Sequence, residues 1–453
     1  MKLPDSLLSS LGNLKNFDKE AFEKVHSSGE QITSVRINTS KISIENSQLP
    51  IEKKVAWADN GYYLSRRPSF TFDPLFHAGT YYVQEASSMF LEQALKQTVD
   101  LSLPLRILDL CAAPGGKSTH IQSLISKESL LVSNDVIRSR ANVLKDNIIK
   151  WGSENVVVIN NDPKDFTKLE NYFDVIVVDA PCSGSGLFRR DPAAINEWSE
   201  NNVQLCSQRQ QRILADVWPA LKKDGILIYS TCSYSIEEDE EIMDWISGRF
   251  ASVNCRIELN TDWGILETKS SKENYGYRFW PDKIKGEGFF ISCFQKKEGE
   301  DDDIFRYKNK PDQVTKKDLE MVDAWIINDG LNFIKYKNTV YAWPAHLGQQ
   351  FSFLLEQLHV IYTGILVGEL MRDKLVPDHA LALSNKISEN ITRTDLNLDQ
   401  AIQYLQRKDL DMSIKIKGWQ LVTYLNHPLG WINALANRNN NYYPKELRII
   451  KDI

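Results

Sequence analysis

Two short segments set a cysteine among small polar residues: Asp179-Ala-Pro-Cys-Ser-Gly184 and Ser230-Thr-Cys-Ser-Tyr234. Each closes an Ile/Val/Leu-rich run, Phe173–Asp179 and Gly225–Thr231, with the length and composition of a buried strand. Cys182 and Cys232 therefore fall at strand ends, where doubly wound sheets bind their ligands. A third strand end carries Asp109-Leu-Cys-Ala-Ala-Pro-Gly-Gly-Lys-Ser-Thr119, after the run Leu105–Leu110 and before a helix. Gly115 and Gly116 let backbone approach a ligand closely. Helix N–H groups there, with the Lys117 ammonium, favour an anionic group such as a carboxylate. Two more runs, Ser129–Asp135 and Val156–Asn160, lead to Asp135 and Asp162. Asp135 stands 19 residues after Gly116, where a carboxylate accepts hydrogen bonds from both hydroxyls of a ribose. Asp162 suits an adenine amino group.

Two enzyme chemistries compete for the glycine loop. A phosphate-binding loop needs Gly-x-x-x-x-Gly-Lys-Ser/Thr. Gly116-Lys117-Ser118 fits its end, but Cys111 stands where the first Gly belongs. The other chemistry is methyl transfer from S-adenosylmethionine on a Rossmann-like sheet. A thiol beside a methyl donor suits methylation of a pyrimidine at C5. That carbon is a poor nucleophile until a thiolate adds at C6, which turns C5 into an enamine-like carbon. A proton donor near N3 favours the addition, and Asp179 is placed for it if protonated. Enzymes that methylate exocyclic amines carry Asn/Asp-Pro-Pro-aromatic at this strand end, which Asp-Ala-Pro-Cys does not match. The other cysteines read differently. Cys206, Cys255 and Cys293 read as small buried hydrophobes, and Cys111 has no evident chemistry of its own. No two of the six cysteines are closer than 23 residues, so no CxxC pair is available for zinc, and no metal is expected.

The elements that must hold these residues alternate. Between the runs lie helical stretches: Arg138–Lys150, with Ala141, Leu144 and Ile148 on one face and Gly152 as C-cap, and Gln208–Leu221. Alternating β and α units predict a parallel sheet covered on both faces. Gly288–Gln295 is expected as an edge strand. Thr33–Asn38 belongs to a small separate N-terminal module. Glu298–Asp303 (EGEDDD) is a run of like charge suited to a linker. Beyond it, Val360–Leu370 and Gly418–Trp431 read as Gly-punctuated strands. In 453 residues there are 54 Lys+Arg and 60 Asp+Glu, a net charge of −6. Nucleic acid is then neither announced nor excluded, because binding needs only a local basic patch. No stretch approaches 18 uncharged apolar residues, and residues 1–20 hold no sustained apolar core, so neither a transmembrane helix nor a signal peptide is expected.

Together these motifs resemble one family. LDLCAAPGGKSTH, FDVIVVDAPCSGSGLFRRDP and YSTCSYSIEEDEEI, with the upstream TSVRIN and YYVQEASSM, are similar to the Nol/Nop/Sun RNA cytosine-5 methyltransferases. VPDHALAL, HPLGWI and NNNYYPKELRI resemble its bacterial RsmF-like branch. The resemblance implies an α/β fold with a Rossmann-like S-adenosylmethionine-dependent core, a small N-terminal α+β module and a C-terminal PUA-like β-rich module. The expected division is 1–80 (N-terminal RNA-binding), 81–297 (catalytic), 298–312 (acidic linker), 313–390 (RsmF-like) and 391–453 (PUA-like). It implies that Cys232 is the nucleophile on C6 and that Cys182 assists product release. The loop Cys111, Ala112, Ala113, Pro114, Gly115, Gly116 and Lys117 would hold the methionine part of the donor, Asp135 the ribose and Asp162 the adenine, with Asp179 between donor and base. The substrate implied is RNA, small-subunit ribosomal RNA or the 30S subunit, with tRNA as the alternative; a cytoplasmic monomer is expected. Such a base must leave its stack. Phe188 and Trp198 could stack on bases or pack beneath the loop, and Arg189-Arg190 could meet phosphate. A non-catalytic RNA-binding or assembly factor on the same fold is the competing function, and two rim thiols argue against it.

Overall fold

The structure is a computed structural model that describes residues 2–12, 14–299, 308, 311–410, 416–436 and 438–452. Most of the acidic segment 298–312 (300–307, 309 and 310) lies outside the described residues.

The Ile/Val/Leu-rich runs form the middle of a ten-stranded sheet. Arg106–Asp109 is its topological switch point, with Leu130–Asn134 parallel on one side and Phe173–Asp179 parallel on the other. Val156–Ile159 extends the first side and Leu221–Thr231 the second. Alternate residues feed two cores. Ile107, Leu131, Val175, Val177 and Ile228 pack one face with Ile121, Leu144 and Ile148 of the helices Gly116–Leu124 and Arg138–Trp151. Leu108, Val132, Ile176, Val178 and Leu227 pack the other with Ile213, Leu214 and Ile246 of the helices Glu200–Val217 and Glu240–Arg249. A strand buried on both faces has no polar side to show, which is why these runs read as continuous apolar stretches.

Two expectations about strands need correction. Phe289–Lys296 is no edge strand: it lies between Leu221–Thr231 and Tyr275–Phe279, antiparallel to both. Leu266–Lys269 and Tyr275–Phe279 continue the sheet beyond it, in sequences too short and polar to announce themselves. Val360–Leu370 is not one strand either. Val360–Thr363 adds an antiparallel edge to the central sheet beside Val156–Ile159, whereas Ile365–Met371 joins a separate five-stranded sheet. Gly364 at φ +57 makes the turn between them. The helix expected over Gln208–Leu221 begins earlier, at Glu200, because Ser199 caps it by accepting from Asn202 N.

A four-stranded antiparallel sheet precedes the central one: Ile51–Lys54, Gly61–Leu64, Ser34–Ile37 and Tyr81–Val83 in spatial order. Another four-stranded sheet ends the chain, in which Gly418–Tyr424 and His427–Ala434 form a hairpin through Leu425 and Asn426, both at positive φ. Val35, Ile37 and Tyr81 of the first share one apolar cluster with Leu396, Val422 and Leu429 of the last and with Tyr404 of the helix Leu398–Leu405. No helix among the described residues is long and apolar enough to cross a membrane.

Candidate active site

The carboxyl ends of five parallel strands surround a cavity of about 450 Å³, within the ordinary range for a ligand site. Leu110, Cys111 and Ala113 line it after the first strand, Asp135, Val136 and Ile137 after the second, and Asp162 and Pro163 after the third. Asp179, Cys182, Gly184 and Cys232 close its other end. Of the predicted glycine loop only Cys111 and Ala113 reach this wall. Ala112 is buried, Pro114 is exposed, and Gly115, Gly116 and Lys117 form the turn behind it. Gly115 has φ +114, a conformation that only glycine adopts at ease, and it starts the helix Gly116–Leu124. Burial pushes the Cys111 thiol up, so it stays protonated.

Asp135 is almost fully buried. Its Oδ1 accepts from Ile137 N at 2.9 Å, and Arg140 Nη2 lies 3.4 Å from Oδ2. Asp162 caps the following 3-10 turn, accepting from Lys164 N at 3.2 Å. These two carboxylates and the apolar walls between them fit a nucleoside carried by a methyl donor: acids for hydroxyl and amino donors, Val136, Ile137 and Pro163 for the flat faces of the base. Asp109, which sequence reasoning passed over, lies beneath the loop with no exposure. Ser118 Oγ donates to its Oδ2 at 2.6 Å, its Oδ1 is buried without a hydrogen-bond partner among the described residues, and burial lifts its carboxyl to about 7.

The two cysteines converge from separate strands: Cys182 Sγ and Cys232 Sγ are 2.9 Å apart. The Cys232 sulfur, burial and the nearby Glu238 carboxylate push the Cys182 thiol well up. Asp179 accepts from Ser230 Oγ at 2.8 Å and pairs with Lys117 Nζ at 2.7 Å. Lys117 is thus engaged with the strand-end acid, and its ammonium also lies 5.1 Å from the Phe289 ring centre.

Of the alternatives open for Phe188, Trp198 and Arg189, the structure selects packing. Phe188 and Trp198 are buried in a cluster with Leu7, Phe22, Tyr234 and Trp280, so they pack and do not stack on bases. Arg189 is buried as well, donating to the carbonyls of Gly286 at 2.9 Å and Glu30 at 3.1 Å. Arg190 is exposed. The crevice gains cations that sequence reasoning missed, Arg209 and Arg212, exposed at its wall from the helix Glu200–Val217. Their spacing of three on a helix that packs against the cysteine strands was the available signal.

The acidic run Glu237-Glu-Asp-Glu240 turns mostly inward. Glu238, Asp239 and Glu240 are all buried. Asp239 Oδ2 and the Glu240 carboxylate pair with the buried Arg278, Asp239 at 3.1 Å. Thr231 Oγ1, one residue before Cys232, donates to Asp239 Oδ1 at 2.7 Å.

A parallel sheet with this strand order, a glycine loop at its switch point and a nucleoside-sized crevice at its carboxyl edge defines a Rossmann-like methyltransferase. Comparison with known proteins agrees. Residues 97–295 match the family model for 16S rRNA methyltransferase RsmB/F, residues 3–86 that for the N-terminal domain of 16S rRNA methyltransferase RsmF, and residues 392–449 that for the methyltransferase RsmF PUA domain. The chain belongs to the RsmB/F methyltransferase family, in its RsmF branch. The ribosomal RNA small subunit methyltransferase F of Shewanella piezotolerans is 28% identical over 441 residues, covering 92% of this chain and 91% of that one. The protein of the same name from Psychromonas ingrahamii is 29% identical over 438 residues, covering 91% and 90%. The crystal structure of a methyltransferase homolog protein from Pyrococcus horikoshii superposes with a TM-score of 0.52 at 27% identity, over 65% of this chain and 100% of that one.

Proposed function

We propose that this protein methylates C5 of cytosine in small-subunit ribosomal RNA, with S-adenosylmethionine as donor, through a covalent adduct between Cys232 and C6 of the base. The observation that carries this reading is the pair of thiols 2.9 Å apart at one end of a crevice whose other end holds Asp135 and Asp162. The names of the relatives support the choice of RNA.

The donor, when bound, supplies an electrophilic methyl group on a sulfonium. Asp135 binds its ribose hydroxyls, Asp162 its adenine amino group, and the backbone of the Cys111–Lys117 loop its methionine end. Asp179, held by Lys117 and Ser230, faces the polar edge of the cytosine. The Cys232 thiolate would form an S–C6 bond, and the electron pair released toward C5 would take the methyl as its bond to the sulfonium breaks, leaving the donor as a neutral thioether. Loss of the C5 proton to water would then let the S–C6 bond break and return the thiolate, with Cys182 assisting that release. Arg209 and Arg212 meet phosphates flanking the flipped base.

The test is the Cys182→Ala variant purified from cells. On a denaturing gel it is expected to carry covalently attached RNA that nuclease removes, and Cys232→Ala in the same chain is expected to abolish the attachment. Wild-type activity in Cys232→Ala would sink the covalent reading. Sequencing the trapped RNA identifies the substrate, and recovery of tRNA alone would overturn the ribosomal assignment.

A further inference from the structure

The carboxylate of Glu238 sits between the two cysteine loops with no exposure to solvent. Its Oε1 accepts from Ser183 N at 2.8 Å and from Gln210 Nε2 at 3.1 Å. Its Oε2 accepts from Ser183 Oγ at 2.5 Å and from Ser233 Oγ at 2.7 Å. Ser183 follows Cys182 and Ser233 follows Cys232, so one buried group is tied to the neighbour of each thiol. Its own backbone is fixed from behind, because Tyr229 OH donates to Glu238 O at 2.7 Å. Few buried carboxylates accept four hydrogen bonds, and charge-assisted bonds of this kind are the strong ones. Nothing in this set touches the donor end of the crevice.

We propose that Glu238 is a positioning residue that clamps the Pro181-Cys-Ser and Thr231-Cys-Ser loops together and fixes the distance between the two sulfurs. The proposal rests on the two-thiol reading above and adds the group that makes the thiols work as a pair. Besides the clamp, the loops are joined by Gly186 N donating to Cys232 O at 2.8 Å, by Ser185 Oγ accepting from Tyr234 N at 2.9 Å, and by longer hydroxyl contacts, Ser183 Oγ to Ser233 Oγ at 3.4 Å and Ser185 Oγ to Ser233 Oγ at 3.5 Å. Of these only the Ser183–Ser233 contact reaches the residue beside Cys182, and it joins the two hydroxyls that Glu238 itself holds.

Two readouts test it on the full chain. The first needs no RNA: diamide oxidises two adjacent thiols to a disulfide and is itself reduced to the hydrazine, and peptide mapping reads the Cys182–Cys232 crosslink. The second is steady-state methyl transfer. Glu238→Ala is expected to crosslink at least about tenfold more slowly and to lose about 100-fold in kcat, as a misplacement near 1 Å does, with the KM for S-adenosylmethionine unchanged. Glu238→Gln keeps the shape and an acceptor, the serine hydroxyls can turn to suit its amide, and it is expected to recover most of both rates. A merely structural role predicts neither the kcat-only loss nor the rescue. A folded Glu238→Ala protein that crosslinks and turns over within about threefold of wild type overturns the proposal. If Glu238→Ala does not fold, the double variant Ser183→Ala with Ser233→Ala carries the same expectations and the same power to overturn it. A wild type that crosslinks but makes no 5-methylcytosine faults the reaction assigned above, while the crosslinking rates still decide the clamp.

Discussion

Cys182 and Cys232 share a sequence context but not an environment. The Cys182 thiol is lifted by the sulfur beside it, by burial and by the Glu238 carboxylate. The proposed division of roles, in which Cys232 attacks and Cys182 assists release, asks for thiols that differ in this way. Asp135 shows how a residue can be held ready for a ligand. Ile137 N–H and Arg140 occupy part of its carboxylate, and the rest faces the cavity. Asp135→Ala is expected to weaken S-adenosylmethionine binding about 10- to 100-fold by calorimetry, the loss of one or two hydrogen bonds to a charged group. An unchanged affinity would remove Asp135 from the donor site. At this scale the convergence of Asp135, Asp162, Cys182 and Cys232 on one crevice was legible, because each stands at a strand end. The placement of Arg189 was not: whether an arginine faces phosphate or two backbone carbonyls depends on which loops fold against it.

The elements set the distances. The loop after Phe173–Asp179 and the loop after Leu221–Thr231 leave adjacent parallel strands, so their cysteines start about one strand spacing apart. Gly186 lets them close further. Its N–H reaches Cys232 O, and a Cβ there would lie 2.5 Å from that oxygen and 2.7 Å from Gly288 O. Gly186→Ala must therefore shift the Cys232 loop, at a cost of about 1–3 kcal/mol in stability. Methyl transfer is expected to fall while donor affinity stays, since the donor end lies on other strands; equal loss of both would place the damage in the whole fold. The parallel strands were legible from their apolar runs. The split at Gly364 was not, because a run that changes sheets in mid-course keeps an unbroken apolar pattern. Only the positive φ and the close Ala342 carbonyl, 2.4 Å from where a Cβ would stand, reveal the turn.

Over the whole molecule, the chain ends support the centre. Arg36, buried in the N-terminal sheet, donates to Thr119 Oγ1 at 2.6 Å, Ser123 Oγ at 3.0 Å and Gly116 O at 3.3 Å, and so pins the helix that follows the glycine loop. Three histidines of this surrounding structure are shielded from water, His26 fully and His77 and His379 in part. Burial lowers His26 to about 4, His77 to about 4 and His379 to about 3. His379 has neither ring nitrogen hydrogen-bonded among the described residues, and its ring packs edge-on against Tyr443 of the C-terminal part. Between the unfolded histidine value near 6.5 and these folded values, the unfolded chain binds protons that the folded chain does not. The histidine contribution to stability therefore rises with pH across that window and is lost as pH falls from about 6.5 toward 4. The carboxyls that burial raises, Asp109 and Glu287 to about 7, act in the opposite sense in the same range. His379→Phe removes one histidine contribution, so its unfolding midpoint relative to wild type is expected to be higher at pH 5 than at pH 7; an equal difference at the two pH values would contradict the shielding of this ring.

By itself the sequence determined the parallel sheet and the strand ends that bring Asp135, Asp162, Cys182 and Cys232 to one crevice. Those properties follow from local apolar patterns, turn residues and side-chain types. Only the tertiary structure decided that the acids Glu238, Asp239 and Glu240 turn inward. Asp239 and Glu240 find Arg278, 39 and 38 residues away in the chain, and Glu238 finds the serines beside both cysteines. A buried charge is stable only where partners from distant segments meet it, and such partners have no period or spacing that a sequence can display.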